Sequence, residues 1–329
     1  MGLCSGRSLL AAAMFLVAMI SSSIADPKHQ IRLGLQSVPT DLLYQAKDWG
    51  APYELDAKIS MFSSAGDSLK AFLAGRVDVV TAGAARLVTL TAAQPDKFHV
   101  VAVSLYGGDR YGLIVGPKSN YKTINDLKGK KVGVIPGSGA YMTFVQFLEK
   151  HDLTLRDFEV VNMKLEDIST AVSHGVIDGG VIWEPQVAIA EVSGVAKRLV
   201  SMKGVAESPF FMLASRSYVE NHPDNLVRYI ASAIDMTQFI EKSPEKADLL
   251  IGQELNKSGI AIDTKAIRLA LSRMEVDLDL KPSLVGELEE IAAAMIKSNQ
   301  LKSIPDFKAV IDRKFYDQAS EMQKQRASK

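Results

Sequence analysis

The chain has 329 residues, of which 47% are hydrophobic and 23% charged, which is the composition of a folded globular protein rather than a disordered one. Its 38 Lys and Arg residues balance its 38 Asp and Glu residues, so no basic excess is available for binding nucleic-acid phosphates. A single cysteine, Cys4, excludes a disulfide scaffold and a cysteine-based zinc finger.

The N-terminus has the pattern of a secretory signal. Arg7 precedes an apolar run at 9–20, and small residues follow at Ser23 and Ala25. As a helix this run would span about 18 Å, which is less than the roughly 30 Å hydrocarbon core of a membrane. We therefore expect residues 1–25 to be a signal peptide cleaved after Ala25, and the rest of the chain to be periplasmic. A mature chain without cysteine suits that oxidising compartment.

Short apolar runs then alternate with amphipathic segments, which predicts α/β units with mostly parallel sheets. In chain order, the predicted strands are 31–35, 54–59, 77–80, 98–104, 112–115, 131–135, 158–162, 177–183, 196–202 and 210–214. The helices predicted between them are 42–49, 67–73, 84–93, 124–127, 139–150, 166–174 and 185–192. Apolar stripes of helical period predict further helices at 224–241, 244–255, 264–274 and 283–298, followed by a polar tail at 318–329.

Two irregular stretches interrupt this alternation. They are the glycine-rich segment YGGDRY at 106–111 and the segment 203–209. We interpret them as two crossings, near 106–113 and 203–211, between two doubly wound α/β lobes. The first lobe is then discontinuous, comprising 26–108 and 209–329 with the C-terminal helices, and the second lobe comprises 109–208.

Motifs for most enzyme chemistries are absent. The histidines lack the spacing of a metal site, and they are His29, His99, His151, His174 and His222. The sequence Gly137-Ser138-Gly139 is not a nucleophile elbow, because Pro136 stands where that motif has its first glycine. No phosphate-binding P-loop or dinucleotide fingerprint is found. We therefore expect a protein that is not an enzyme, with no metal and no cofactor.

Four strand-to-helix turns are rich in Ser, Gly and other small residues, at 63–67, 82–85, 136–140 and 183–185. Such turns lie at the carboxyl ends of the strands, where doubly wound sheets bind ligands. Backbone N–H groups at helix N-termini attract anions there. Each turn taken alone is weak evidence for a site, because short strand-to-helix turns commonly use these residues for geometry alone. Together, divided between two lobes, they predict an anion site.

Three segments carry a family resemblance: AFLAGRVDVVTAG at 71–83, DLKGKKVGVIPGSGAYMTF at 126–144 and GVIDGGVIWEP at 175–185. Their order and spacing resemble the periplasmic substrate-binding proteins of ABC importers in the nitrate/sulfonate/taurine group. The resemblance covers about 31–222. It implies the bilobed periplasmic-binding-protein fold of type II, a Venus flytrap that binds its ligand in the cleft between the lobes.

The resemblance also implies which residues face the cleft. The first loop, with Ser37, would lie at its mouth or floor; the walls would be formed by Ser64, Gly83 and Ala84 on one side and by Gly137, Ser138, Gly139 and Trp183 on the other. Trp183 could instead pack in the core. Arg86 and Arg110 are possible partners for a ligand anion, or surface residues. Glu184 could be a structural capping or pairing residue, or could select an amine on the ligand.

This reading predicts a monomer that captures a small anionic or zwitterionic solute, sulfonate or taurine-like first. The solute would pass to an ABC permease and ATPase complex in the inner membrane. Nitrate-like ions, aromatic carboxylates and a thiamine-pyrimidine-like precursor are the alternative ligands, and a sensor subunit of a signalling receptor is the alternative role. The thiamine-pyrimidine synthases on the same fold use a cysteine-rich motif, which this chain lacks after Cys4.

Overall fold

The computed structural model describes residues 29–257, 259, 262–297 and 299–328. The expected signal peptide at 1–25 and its cleavage site lie outside these residues. The strands are β1 Gln30–Gln36, β2 Asp56–Phe62, β3 Val79–Gly83, β4 Phe98–Leu105, β5 Tyr111–Val115, β6 Lys131–Val134, β7 Glu159–Asn162, β8 Gly179–Trp183, β9 Lys197–Ser201 and β10 Phe210–Ser215. The helices are α1 Pro39–Ala46, α2 Ala65–Leu73, α3 Ala84–Ala93, α4 Gly139–Glu149, α5 Leu165–Ser173, α6 Gln186–Val192, α7 Arg216–Asn221, α8 Pro223–Lys242, α9 Pro244–Lys257, α10 Thr264–Ser272, α11 Leu284–Lys297 and α12 Lys314–Ala327.

The strands form two five-stranded sheets of matching design. The first has the order β2-β1-β3-β10-β4 and the second the order β7-β6-β8-β5-β9. In each, three strands are parallel: β2, β1 and β3 in the first, and β7, β6 and β8 in the second. The fourth strand, β10 or β5, runs antiparallel to both of its neighbours. The predicted two-lobed α/β fold is confirmed.

Each sheet is covered by helices on both faces, so its central strands are almost entirely buried. Every residue of β3 and β4 except the half-buried His99 is buried. On one face of the first sheet, α1, α8 and α9 pack into a common core, and on the other face α2, α3 and α11 do so. On the second sheet the corresponding helices are α4 on one face, and α5 and α6 on the other. Buried strands of this kind read as continuous apolar runs in the sequence, which is why their order could be predicted.

The two sheets are connected by two irregular segments, 106–110 between β4 and β5, and 202–209 between β9 and β10. Their positions agree with the two crossings that the sequence indicates. The crossings lie side by side, because the amide of Gly107 donates a hydrogen bond to the carbonyl of Glu207 at 2.7 Å. No helix in the described ranges is both long and apolar enough to span a lipid bilayer.

The polar tail predicted at 318–329 is wrong. Residues Lys314–Ala327 form α12, which packs against α8 through the buried side chains of Phe315 and Ala319. Gln323, also buried, donates a hydrogen bond to Asp235 of α8 at 3.0 Å. The apolar stripe is narrow and the rest of the helix is charged, so composition alone indicated a tail. The short α7 was not predicted either, and α1 begins at Pro39 rather than at 42.

Candidate functional site

A cavity of about 80 Å³ lies between the two sheets, at the carboxyl ends of their parallel strands. The first lobe contributes Gln36, Val38, Ser64, Ala65, Gly66, Gly83, Arg86, Leu105 and Phe210 to its lining. The second lobe and the first crossing contribute Arg110, Tyr111, Ile135, Ser138, Gly139, Ala140 and Trp183, and Met274 follows α10. Turns on opposite lobes therefore face one space, as the sequence predicted for this fold.

Two helix N-termini border the cavity from opposite sides. Ser64 caps α2: its hydroxyl accepts from the amide of Asp67 at 3.3 Å and donates to the Asp67 carboxylate at 2.8 Å. Ser138 caps α4, where its hydroxyl accepts from the amide of Tyr141 at 3.1 Å. The first N–H groups of a helix have no acceptor within that helix, so each terminus offers free donors and a partial positive charge.

Glycine is required at the second of these termini. A Cβ at Gly139 would collide with the Tyr111 hydroxyl, so only glycine allows the tyrosine to lie against the start of α4. Gly137, two residues earlier, has a φ of 72°, which is in the left-handed region that favours glycine. This turn brings the backbone of the second lobe close to the cavity.

Arg86 crosses from the first lobe towards the second. It lies in the first turn of α3, and its guanidinium is 3.4 Å from the position that a Cβ of Gly137 would occupy. Among the described residues, the guanidinium makes no hydrogen bond and no ion pair with a side chain or backbone group. The cavity thus contains a half-buried cation whose donors are available to a ligand.

Arg110 is buried and held by the crossings. Its Nη2 donates to the carbonyl of Ser208 at 2.7 Å and to the Tyr111 hydroxyl, and the guanidinium stacks 4.4 Å from the Tyr111 ring centre. Burial lowers the pKa of Arg110. On the far side of the crossing, Glu287 of α11 accepts from the amide of Ser208 at 2.8 Å, and burial raises the pKa of Glu287 to about 7.

A buried network supports the floor of the cavity behind Gln36. The carboxylate of Asp41 accepts from the amide of Gln36 and from the hydroxyl of Thr81, both at 2.8 Å. The Gln36 side chain donates to the carbonyl of Thr81 at 2.7 Å. Burial raises the pKa of Asp41 to about 7. Sequence reasoning missed this network, because Thr81 meets Gln36 and Asp41 only through the parallel pairing of β1 and β3.

The structure brings most of the predicted residues to the cavity: Ser64, Gly83, Ser138, Gly139, Trp183, Arg86 and Arg110 all line it. Trp183 does so while packing against the apolar cluster of Val38, Leu105 and Phe210, so its two expected roles coincide. Gly137 is one residue outside the lining and adjoins Arg86.

Three predicted residues lie elsewhere. Ser37 is outside the lining, although its neighbours Gln36 and Val38 belong to it. Ala84 instead lines a smaller cavity behind Tyr111. The side chain of Glu184 is fully buried and also outside the lining, where it accepts hydrogen bonds from Arg273 at 2.7 Å and from the amide of Ala188 at 2.9 Å. Its carboxylate is therefore occupied, which fits the structural role expected for it rather than the selection of a ligand amine.

Apolar residues form most of what sequence reasoning missed. Leu105, Ile135 and Met274 line the cavity, and none stands in a motif that marks a binding residue. Within the described part of the chain, no group of three or more His, Cys, Asp or Glu side chains is arranged to hold a metal ion.

Several proteins similar to this chain are named for binding sulfonates. A protein of Bacillus subtilis (strain 168), named for binding aliphatic sulfonates, is 26% identical over 96% of this chain and 97% of its own length. The alkanesulfonate-binding protein SsuA from Xanthomonas axonopodis pv. citri, solved bound to MOPS, has a TM-score of 0.77 at 20% identity, covering 87% of this chain and 98% of that one. The periplasmic aliphatic sulphonate binding protein SsuA from Escherichia coli has a TM-score of 0.76 at 19% identity, covering 87% of this chain and 92% of that one.

The two solved structures share this fold, including its division into two lobes. The sequence profile described as NMT1/THI5 like matches residues 42–247, which is well over half of the sequence and includes β3, α4 and β8. The chain belongs to the NMT1/THI5-like family.

Proposed function

We propose that this chain is a periplasmic solute-binding protein that captures a small organic anion, a sulfonate first, between its lobes and delivers it to an ABC importer. The observation that carries the proposal is the guanidinium of Arg86, which has no partner among the described residues and stands in a cavity with mostly apolar walls. An unpaired, half-buried cation is stabilised when an anion binds to it.

The arrangement suits a tetrahedral oxyanion. A guanidinium offers donors in a planar fork that can bind two oxygens at once. The N-terminus of α4, on the opposite lobe, offers backbone donors next to Ser138 and Gly139. An anion bound between them contacts both lobes, so it stabilises the closed arrangement over an open one. The crossings at 106–110 and 202–209 would act as the hinges.

The rest of the lining favours an apolar body on the ligand. Val38, Leu105, Ile135, Trp183 and Phe210 present hydrocarbon and aromatic surface to the cavity. None of the described residues in the lining is Asp or Glu, so the ammonium group of taurine would find no carboxylate. A sulfonate with an uncharged body therefore ranks before taurine. Nitrate ranks lower, because it would leave the apolar part unfilled.

The relatives support a binding role rather than an enzymatic one. The sequence relatives that match this chain over 90% or more of its length are named as binding proteins, and two solved structures of the same fold are of sulfonate-binding proteins. The importer and the periplasmic location extend from these relatives to this chain as parts of the proposal. No feature of the cavity favours the sensor role.

Calorimetry and thermal shift with butane-1-sulfonate, taurine, butyrate and nitrate test the proposal. We expect butane-1-sulfonate to bind most tightly; at 100 times its Kd it stabilises the fold by about 2.7 kcal/mol. Arg86→Gln should weaken that binding by roughly 10- to 100-fold, because a hydrogen bond to a charged group contributes about 1.5–3 kcal/mol. Arg156→Gln, on the exposed surface of the second lobe, is the matched control. Binding by none of these anions, or equal binding by the Arg86 variant, would overturn it.

A further inference from the structure

A third, non-covalent connection joins the lobes beside the two crossings. Helix α10 follows α9 of the first lobe, yet it packs against α6 of the second lobe. Small side chains allow this close approach, with Ala266 and Ala270 of α10 against Ala188 of α6. The segment after α10 then pairs with the first crossing: the amide of Tyr106 donates to the carbonyl of Glu275 at 2.7 Å, and the amide of Glu275 donates back at 3.1 Å.

Arg273, at the end of α10, forms ion pairs across this connection. Its Nη1 lies 2.7 Å from Oε1 of Glu184 and 2.6 Å from Oε2 of Glu191, both in the second lobe. The side chain of Glu184 is 0% exposed and that of Arg273 only 12%, so water screens the contact little. The other oxygen of Glu184 accepts from the amide of Ala188. We call Arg273, Glu184 and Glu191 the clasp.

The clasp lies directly behind the wall of the ligand cavity. Trp183 precedes Glu184, and Met274 follows Arg273; both side chains line the cavity and pack against the same apolar cluster. No member of the clasp is itself in the lining. The clasp therefore acts on a ligand only by fixing the positions of Trp183 and Met274. Trp183 adjoins Glu184 of the second lobe, and Met274 adjoins Arg273 after α10.

We propose that Arg273 is a positioning residue for ligand capture: through Glu184 and Glu191 it holds Trp183 and Met274 in the cavity wall and stabilises the closed arrangement of the lobes. Separating α10 from α6 would leave the buried carboxylate of Glu184 without its cation, which is costly in a protein interior. Apparent affinity scales with the population of the binding-competent arrangement, so the clasp strengthens binding without touching the ligand. The inference rests on the proposed function, since it assumes that the ligand binds in this cavity.

The test measures association and dissociation rates of butane-1-sulfonate by stopped-flow fluorescence. The chain has two tryptophans, so a Trp49→Phe background leaves Trp183, in the cavity wall, as the reporter. Arg273→Gln removes the cation. Arg273→Met combined with Glu184→Gln and Glu191→Gln removes the clasp without leaving a buried charge, should the single variant fail to fold.

Arg268→Gln is the matched control, because Arg268 of the same helix pairs at 2.6 Å with Asp248 of α9, away from the second lobe.

We expect both clasp variants to raise the dissociation rate about tenfold, within the usual range of conformational coupling, with the association rate changed less than twofold. Arg273→Lys should restore most of the loss, because a single nitrogen of Arg273 contacts both carboxylates. A folded triple variant with the dissociation rate of the parent would overturn the proposal.

If the parent binds no anion, the proposed function fails, and small-angle scattering then tests whether the clasp holds the lobes together. A larger radius of gyration for the ligand-free triple variant supports the clasp, and an unchanged radius overturns it.

Discussion

The two sides of the cavity each carry an arginine, but the two arginines are held in opposite ways. Arg86, on the first lobe, has no partner among the described residues and reaches towards the second lobe. Arg110, at the first crossing, is buried, stacked on Tyr111 and bonded to the carbonyl of Ser208. Under the proposed function, Arg86 would bind the ligand, whereas Arg110 holds the crossings and the Tyr111 wall in place.

The largest loss of affinity should come from replacing Gly139, on the second-lobe side of the cavity, with a larger residue. Gly139→Val forces the buried Tyr111 away from the N-terminus of α4, because a Cβ at this position already collides with its hydroxyl. We expect a loss of affinity on the order of 100-fold for butane-1-sulfonate, since the displaced start of α4 no longer offers its amide donors to the anion, and hydrogen bonds to charged groups contribute about 1.5–3 kcal/mol. Calorimetry measures the change.

The matched substitution on the first side is Gly66→Ala. The nearest atom to a Cβ at Gly66 is the hydroxyl oxygen of Ser64 at 3.6 Å, which is ordinary contact. Affinity should stay within about threefold of the parent, well below the 1.4 kcal/mol that a tenfold change requires. Equal losses for the two glycine variants would show that the two sides do not differ in the way described.

Exchanging the two arginines for glutamine separates binding from stability. Arg110→Gln leaves the Ser208 carbonyl and the Tyr111 hydroxyl without their donor, so it should lower the free energy of unfolding by about 2–4 kcal/mol. Arg86→Gln should change that free energy by less than about 0.5 kcal/mol, because it breaks no contact within the described residues. Urea unfolding monitored by circular dichroism measures both. A stability loss at Arg86 as large as at Arg110 contradicts the contrast.

Trp183 tests the apolar part of the cavity. Trp183→Ala should weaken binding of benzenesulfonate by about tenfold and that of methanesulfonate by less than twofold, because only the larger ligand buries surface against the indole. Titration calorimetry with the two sulfonates compares them directly. A similar loss for both would place the indole beside the charged group instead.

The smallest effect concerns pH and the crossing behind Arg110. Burial raises the pKa of Glu287 from its ordinary 4.5 to about 7. Between pH 4.5 and pH 7, Glu287 is therefore protonated in the folded protein and ionised in the unfolded chain. The contribution of Glu287 to the stability of the fold is complete below pH 4.5 and is lost as the pH rises through about 7. Glu287→Gln should therefore raise Tm relative to the parent more at pH 8 than at pH 5.

Asp41 titrates in the same range, but it is common to both proteins, so their difference isolates Glu287. Thermal melts at the two pH values measure that difference. If the Tm difference between the variant and the parent is the same at pH 5 and pH 8, Glu287 is ionised in the folded protein at both pH values.

The sequence predicted the two lobes well because the strands of a doubly wound sheet are buried on both faces and appear as apolar runs between amphipathic helices. It also predicted that the turns with Ser64, Ser138 and Trp183 lie at the carboxyl ends of strands, and these residues line the cavity, since strand order fixes which turns share an edge of a sheet. What it missed depends on partners distant in the chain. Glu184 is neutralised by Arg273, 89 residues later, and α12 is held by a narrow stripe against α8.

The central claim is that an anion binds between Arg86 and the start of α4. A crystal structure with 2-bromoethanesulfonate tests it most directly, because anomalous scattering from bromine locates the body of the ligand independently of its sulfonate. We predict sulfonate oxygens within hydrogen-bonding distance of the Arg86 guanidinium and of backbone amides near Gly139, with the bromine against Trp183 or Phe210. A sulfonate that contacts one lobe alone, or lies outside this cavity, would contradict the account.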